Sequence, residues 1–577
     1  MNADNVRRFT GGPKRSFEVR RRNEPEDDFE QQSSTRIGYQ PFQRTPVADY
    51  PHSITSNASA DSGSTPTPST PSLRTFAPPA YFLPKKRWYF ITTLRILLLS
   101  LTYFLAQVDK FLISYYSKPI TASLHLAPSQ YAQILSYWTG VVYIPASILI
   151  AWFADYQTCR VKLLAFLAGF WSLCVVCQGL AQNHRHMLLA RMGMGIGQAG
   201  SEALSVSLIS DLAAWPEVFL GESVLYVAIY LGDAVAGRIA LAFETTGIPK
   251  WDSAMKCTGM IGIVLASLIM AGVAEPVRQT GLVEVLEMSE EAKDLKRERK
   301  SRGFKGSCKR IWIEMSSICR YMIKLQSLWI LVLSSAIRHS AANVVGYYMP
   351  GYINNIYPSQ PSLRETYGLI LGATSSLSVL LGGLIACLLW RYTKTWKYHS
   401  LPLWIAAVGG LICSVCLICA VFSHTSRSEP TALRVLYSTL TFAIFASETW
   451  LGCLSTIITG LLPPDYKTFG FAVCGAMQWM IYSPAPEIIR FSLTNVDPES
   501  PRYTRIIQVC LGTIPPVCYF WAGVGFIFAG WGLRRDLEDR DTSSRKSDTR
   551  RQLYFVGVFI FFATVVLVLV VLDVRLG

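Results

Sequence analysis

Long apolar stretches separated by short polar segments make up most of the chain after residue 84. Each stretch holds at least 20 residues, which is the length that an α-helix needs to cross the hydrocarbon core of a bilayer. The pattern predicts twelve spans in two sets of six, and they cover residues 89–116, 131–153, 163–182, 187–209, 219–243, 255–274, 327–349, 366–390, 399–422, 433–459, 468–492 and 506–532. A further uncharged run at 553–572 predicts a thirteenth span.

The segments between these spans predict the domain organisation. Residues 1–84 are rich in Ser, Thr, Pro, Arg and Glu and predict a disordered cytosolic tail. The remaining limits are a six-helix bundle at 85–274, a basic cytosolic loop at 275–326, a second six-helix bundle at 327–533, a cytosolic linker at 534–552 and an extra transmembrane helix at 553–577. The predicted fold class is therefore all-α integral membrane, with two six-helix bundles and one extra C-terminal helix. Two such halves around a central site are typical of secondary transporters.

Composition and charge agree with a membrane protein. Charged residues make up 16% of the chain, whereas a soluble protein carries about a quarter. Lys85, Lys86 and Arg87 precede the first span and place that side in the cytosol. The net charge of +15 could suggest nucleic acid, but many of the basic residues lie in the tail and in predicted cytosolic loops, so we expect no nucleic-acid partner. The run KDLKRERKSRGFKGSCKR sets topology and offers a surface for anionic membrane lipids.

The stretch Arg191–Asp211, which overlaps the fourth span, has one polar face and one face of small residues. Arg191, Gln198 and Glu202 share a helical face, and polar side chains in a membrane helix face a water-filled path. Gly193, Gly197 and Gly200 lie on roughly the opposite face. The G-x-G-x-x-G pattern here lies in mid-helix, so it predicts helix packing and not nucleotide binding.

Five other residues are candidates for a substrate or proton pathway because they place polar chemistry inside predicted spans. Asp109 and Lys110 lie late in the first span, at the depth of Arg191, so Asp109 is a predicted partner of Arg191. The alternative is that Lys110 reaches the outer interface and pairs with Asp109 through water. Arg338 and His339 lie in the seventh span, and Glu448 in the tenth. His339 titrates near neutral pH when free, but a lone His is more often a hydrogen-bonded wall residue.

Asp155 and Arg160 flank the short loop between the second and third spans. The carboxylate can cap the next helix, and with Arg160 and Lys162 it can form a breakable cytosolic latch that biases the two transport states. The alternative is a plain interfacial ion pair that only fixes topology.

No cofactor, metal site or enzymatic activity is expected. Cys413, Cys416 and Cys419 form C-x-x-C-x-x-C within an unbroken lipid-length helix, where Cys behaves as a small apolar residue. The sequence shows no zinc-ligand pair and no nucleophile–base set at helical spacing, so an intramembrane enzyme ranks last among the functions considered.

These residues resemble the major facilitator superfamily. AWFADYQTCRVK is similar to that superfamily's loop motif, roughly G-x-L-x-D-R-x-G-R-K, with Asp155 and Arg160 at matching positions. RMGMGIG is similar to R-x-x-x-G-x-G. Within the superfamily the chain resembles the Spinster-like branch, through Asp109-Lys110 for Asp-Arg in the first span, FWS at 170–172 in the third, RMGMGIGQAG in the fourth and Ile209-Ser210-Asp211 at its end.

The resemblance implies alternating-access transport, lysophospholipids or sphingoid phosphates as substrates, and proton coupling in some members. Two departures weaken parts of this. Gln198 replaces the family's Glu, and an amide carries no proton at neutral pH, although Glu202 lies one turn away. Lys110 replaces Arg, which removes bidentate phosphate recognition.

The sequence thus predicts a secondary active transporter for a lipid-like or anionic organic solute, with a proton as candidate coupling ion. The predicted location is the plasma membrane or an endolysosomal or vacuolar membrane. The alternative is a transporter-like receptor or scaffold that binds its ligand without translocating it.

Overall fold

The computed structural model describes residues 85–278 and 308–538, with gaps at 128–129, 132, 135–137, 158, 215, 246–247, 358–362, 394–399, 424–428, 494–495 and 497–499. The predicted tail at 1–84, the centre of the basic loop at 279–307 and the thirteenth span at 553–572 lie outside the described residues. Ten helical segments in the described part are long and apolar enough to cross a membrane.

The first half contains the helices that correspond to the first six predicted spans. In chain order its elements are α1 (Lys85–Tyr115), α2 (Ser117–Ser123), α3 (Trp138–Gln157), α4 (Arg160–Gln178), α5 (His184–Gln198), α6 (Ser201–Leu212), α7 (Val218–Ala242), the two-stranded antiparallel hairpin β1 (Glu244–Thr245) and β2 (Ile248–Pro249), and α8 (Trp251–Gly272). Helix α1 packs on α7, and α4 packs on α5 and α8.

The second half begins with a helix inside the predicted basic loop. Its elements are α9 (Cys308–Lys324), α10 (Gln326–Ile356), α11 (Leu363–Thr393), α12 (Leu401–Val421), α13 (Glu429–Ser447), a 3₁₀ turn (Glu448–Trp450), α14 (Leu451–Leu461), a 3₁₀ turn (Pro464–Tyr466), α15 (Lys467–Tyr482), α16 (Ala485–Leu493) and α17 (Pro501–Glu538). Helix α17 extends into the predicted linker at 534–552 and packs on α10 and α12.

Three predicted spans are interrupted. The fourth span is divided into α5 and α6 at Ala199-Gly200, and the eleventh into α15 and α16 at Ser483-Pro484. Proline lacks the N–H that continues a helix, which accounts for the second break. The tenth span passes through the 3₁₀ turn that carries Glu448. The polar stripe of the fourth span therefore lies on two helices, with Arg191 and Gln198 on α5 and Glu202 on α6.

The glycine face of α5 packs against α4. A Cβ built on Gly197 would lie 2.7 Å from the Trp171 Cβ and 3.0 Å from the Trp171 backbone nitrogen. A Cβ on Gly193 would lie 2.7 Å from the Cys174 Sγ. Only glycine allows this helix spacing, so the packing interpretation of the G-x-G-x-x-G pattern is confirmed.

In the described part of the chain, the two halves have their most extensive contacts at three helix pairs. Helix α7 packs on α11 and α14, and α3 packs on α15. Helix α9 packs on other helices of the second half. Its residues Ile318 and Met322 are buried, and its Tyr321 hydroxyl donates to the Leu461 carbonyl on α14 at 3.2 Å. The all-α membrane fold with two helical halves is the predicted one.

Candidate functional site

A network of buried charges joins the helix ends that the sequence predicts to be cytosolic. The Arg160 guanidinium is fully buried and contacts the Asp211 carboxylate at 2.6 Å and the Glu275 carboxylate at 2.8 Å. It also donates to the Ser207 hydroxyl at 2.8 Å. Burial raises the pKa of the nearby Cys159 thiol, and the negative charge of Glu275 raises it further. Three side chains of the first half, from Asp211, Glu275 and Ser207, thus hold the Arg160 guanidinium.

The same network connects the two halves. The Lys467 ammonium on α15 contacts the Asp211 carboxylate on α6 at 2.7 Å. The Phe469 backbone N–H donates to the Asp155 carboxylate at 2.8 Å, and the Arg278 guanidinium contacts that carboxylate at 2.8 Å. Since Arg278 also donates to the Pro464 carbonyl at 2.6 Å, the cytosolic ends are joined by charge-assisted contacts that separation of the halves would break.

These contacts correct the predicted pairing of the latch. Asp155 and Arg160 both lie in the network, but Asp155 is paired with Arg278 and Arg160 with Asp211 and Glu275. The expected partners were close in sequence. The observed ones come from α6, from the segment after α8 and from α15, which sequence distance does not reveal. The role of the network as a gate stays a prediction.

A line of polar side chains on α7 runs from this network towards the outer side. Glu222, Tyr226, Tyr230 and Asp233 are spaced by three or four residues and so share one face. The Tyr226 hydroxyl donates to the Glu202 carboxylate at 2.9 Å, and the Tyr230 hydroxyl donates to Glu448 in the second half at 2.5 Å. The two predicted acids therefore both contact the polar face of α7, Glu202 from the first half and Glu448 from the second.

Lys110 lies between the two halves. Its ammonium is in electrostatic range of Glu202 on α6 and of His339 on α10. The side chain is nevertheless exposed, and no ion pair within 4.0 Å is found for it among the described residues. A cation that has exposed surface and neighbours in both halves is suited to contact an anionic group.

The predicted pairing of Asp109 with Arg191 is not formed in the described part of the chain. Both side chains are buried, but neither Asp109 oxygen has a hydrogen-bond partner there. The Arg191 Nε donates instead to the Ile134 carbonyl at 3.4 Å. The sequence indicates how deep each residue lies in the membrane, but not the direction in which its side chain points around the helix axis. The carboxylate of Asp109 is thus a buried acid that has the Arg191 charge and the Thr258 hydroxyl nearby but forms no ion pair within 4.0 Å in the described part of the chain.

Gln198 and Glu202 differ in their contacts. The Gln198 amide is buried and donates to the Ala106 carbonyl on α1 at 3.1 Å. It holds α5 against α1, whereas Glu202 faces the tyrosine line of α7. Glu202, which lies one turn away from Gln198, therefore lies beside Tyr226 on the polar face of α7.

Arg338 and His339 lie among aromatic rings. The Arg338 guanidinium is buried 4.9 Å from the Trp450 ring centroid and 5.2 Å from that of Tyr519. None of its three nitrogens has a hydrogen-bond partner among the described residues. The His339 ring contacts Trp450 and Tyr482, with centroids 4.9 and 5.0 Å apart, and its Nδ1 is 3.2 Å from the Ser335 carbonyl. The faces of the Trp450 and Tyr519 rings attract the cation of Arg338.

Several residues of the site were missed in the sequence. Glu222 is an acid inside a predicted span and could have been selected on that ground alone. Tyr226 and Tyr230 follow it at helical spacing and carry polar hydroxyls. Lys467 and Arg278 give no comparable signal, because a basic residue at a cytosolic boundary is expected from topology.

The arrangement is a charged, aromatic-lined site between two helical halves, which the buried charges join at the end that is predicted to be cytosolic. Among the described residues no group of three His, Cys, Asp or Glu side chains could hold a metal ion. This is the architecture of a two-halved membrane transporter.

The chain belongs to the Major Facilitator Superfamily, whose family model matches residues 99–486. The family predicted from the loop and fourth-span motifs is confirmed. The protein is accordingly a multi-pass membrane protein of a transporter family.

Individual relatives agree with this placement. The chain is 24% identical to the sphingosine-1-phosphate transporter of Danio rerio over 393 residues, which cover 65% of this chain and 71% of that protein. The Danio rerio protein carries the Spinster name SPNS2, which agrees with the predicted resemblance to that branch. Among solved structures, the Escherichia coli fucose:proton symporter matches with a TM-score of 0.53 at 14% identity, covering 75% of this chain and 98% of that one. The proton:xylose symporter XylE matches with a TM-score of 0.53 at 14% identity, covering 78% and 96%. At these identities the structures show a shared fold.

Proposed function

We propose that the protein is a secondary active transporter that works by alternating access and carries a lipid-like or anionic organic solute. The observation that carries the proposal is the exposed Lys110 ammonium between the two halves, within range of Glu202 and His339. A chain of this family with a charged site between its halves is suited to bind a solute there and to release it on the other side.

The cytosolic network supports a two-state cycle. Asp155, Asp211 and Lys467 close the cytosolic end through contacts between the halves. Such contacts form in one state and break in the other, so they set the balance between the states. We assign Asp155 and Arg160 to this gate, with Arg160 holding Asp211 in position for Lys467.

The charge pattern of the site favours an anionic headgroup. Lys110 and Arg338 supply the cations, and neither has an ion pair among the described residues, whereas the acids Glu202 and Glu448 each accept a tyrosine hydroxyl. The Danio rerio relative is named for sphingosine-1-phosphate, an anionic lipid, which supports a solute of this class. Lysine binds phosphate as a point charge and gives less geometric selection than arginine.

Proton coupling is part of the proposal. Asp109, whose buried oxygens have no hydrogen-bond partner among the described residues, and Glu202, at the centre of the site, are the proposed proton carriers, while Gln198 holds α5 against α1. Two solved structures of the same fold are named as proton symporters. The chain acts without enzymatic chemistry in this proposal, in the plasma membrane or an endolysosomal or vacuolar membrane.

Replacement of Lys110 by Ala should weaken uptake of an anionic lipid by about tenfold, because loss of one charge-assisted contact costs about 1.5–3 kcal/mol. The effect should fall on KM for the anionic solute and be absent for a neutral analogue. Uptake is measured in proteoliposomes with a panel of lysolipids, sphingoid phosphates and organic anions, with and without a pH gradient. Lys118→Ala, which removes an exposed lysine of α2, is the matched control.

The panel also separates the transporter from the receptor or scaffold. Saturable binding of a panel member without accumulation inside the vesicles would favour the non-translocating alternative. Equal loss of uptake in Lys110→Ala and Lys118→Ala would contradict the position of the site.

A further inference from the structure

A further buried carboxylate lies at one end of the polar line of α7, where α7 meets α14. Glu222 is fully buried and accepts hydrogen bonds from three hydroxyls of the second half. Ser455 donates at short range, Thr456 at 3.0 Å and Thr459 at 3.4 Å. The carboxyl group of one half is therefore enclosed by a cluster of hydroxyl donors belonging to the other.

Each of these hydroxyls has a second acceptor in its own helix. The Ser455 and Thr456 oxygens lie 3.2 and 2.7 Å from the Gly452 carbonyl, and that of Thr459 lies 3.0 Å from the Ser455 carbonyl. A hydroxyl carries one hydrogen and rotates freely. It can donate to an ionised Glu222, or it can donate to its own helix and accept from a protonated Glu222. The cluster thus satisfies the carboxyl group in both protonation states.

Among the residues that the structure describes, none supplies Glu222 with a counter-ion at contact distance. Lys467 on α15 is in electrostatic range, but its ammonium contacts Asp211 on α6 at 2.7 Å. The other titratable neighbours are Tyr226 on α7 and Cys453 on α14, which are neutral at physiological pH. The Glu217–Arg391 pair between α7 and α11 is already neutralised internally. A buried carboxylate in such surroundings is costly unless it takes up a proton.

We propose that Glu222 with Ser455, Thr456 and Thr459 forms a proton-binding site whose occupancy holds the cytosolic ends of the two halves together. When α7 separates from α14, water reaches the carboxyl group, and the proton leaves to the cytosol. The site rests on the proposed alternating access, but it is distinct from the central residues that we assign to the solute.

The sign of the pH effect follows from linkage. The closed state binds the proton more tightly than the open state, so acid stabilises closure, and this stabilisation is lost as the pH rises. The neutral amide in Glu222→Gln carries no charge at any pH. It should therefore keep the cytosolic end closed in both mildly acidic and mildly alkaline solution.

The test measures backbone hydrogen exchange of α14 in the purified full chain, corrected for the intrinsic pH dependence. In the wild type, exchange should slow by about an order of magnitude on acidification, because one pKa unit of difference between states gives about a tenfold change in population. Glu222→Gln should exchange slowly at both pH values. Glu217→Gln removes the partly exposed carboxylate that pairs with Arg391 of α11 just before α7, and it should retain the wild-type response.

A second variant keeps the test decisive if Glu222→Gln does not fold. Thr456→Val removes one donor that the ionised carboxylate uses, while protonated Glu222 still has Ser455. It should speed exchange in alkaline solution and leave exchange in acid unchanged. Wild-type exchange that is independent of pH, or faster exchange in Glu222→Gln, would overturn the proposal. Because no solute is added, these outcomes are independent of whether the panel contains the transported molecule.

Discussion

Replacement of Gly452 by Val should trap the protein with its cytosolic end open. Gly452 on α14 faces Ser223 on α7, and a Cβ built on Gly452 would lie 2.9 Å from the Ser223 Cα. Because a backbone atom cannot rotate away, the halves must move apart to accept the side chain. Overpacking of this kind costs about 1–3 kcal/mol, or about 5- to 150-fold in the closed population. We expect solute uptake to fall by at least about fivefold at normal expression.

The open state is detected by faster hydrogen exchange at the cytosolic ends of α6 and α15. Gly475→Val on α15 makes the same chemical change in the second half, where a built Cβ meets nothing within 4 Å. This control should retain both the solute uptake and the slow hydrogen exchange of the closed state. Equal behaviour of the two variants would show that helix propensity, not the contact between the halves, determines the result. Closed-state exchange in Gly452→Val would contradict the tight approach of α7 and α14.

The number and order of spans could be predicted because lipid requires each crossing to be a long apolar helix. The interruptions could not. Gly200 and Ser483-Pro484 lie within apolar runs that satisfy the length requirement, and a break there depends on packing against neighbouring helices. The 3₁₀ turn at Glu448 likewise keeps the hydropathy of an ordinary span.

The sequence predicts which residues belong to the candidate site better than it predicts which of them contact each other. Polar groups inside spans identified Lys110, Glu202 and Glu448, which the structure places around the polar face of α7. The partner of each group depends on helix rotation and on which helices become neighbours. This is why Asp109 was assigned to Arg191, with which it forms no ion pair, and why the link from Asp211 to Lys467 was not anticipated.

Replacement of Asp211 by Asn should cause the largest loss of stability among the charge variants. The Asp211 carboxylate is buried between two cations that are themselves buried, Arg160 at 2.6 Å and Lys467 at 2.7 Å. An amide keeps the shape but leaves both cations without that negative charge. Breaking a buried ion pair from one side costs about 3–5 kcal/mol. We expect a lower Tm in detergent and faster exchange at the cytosolic ends of α6 and α15.

Two further variants separate the fold from the gate. Lys467→Met removes only the contact between the halves and leaves the Arg160–Asp211 pair, so it should open the cytosolic end with a much smaller change in Tm. Asp252→Asn removes an exposed carboxylate paired with Lys256 one turn away at 3.0 Å, and such pairs contribute about 0.5 kcal/mol or less. If Asp211→Asn were as stable and as closed as Asp252→Asn, the buried network would not be what holds the two halves together.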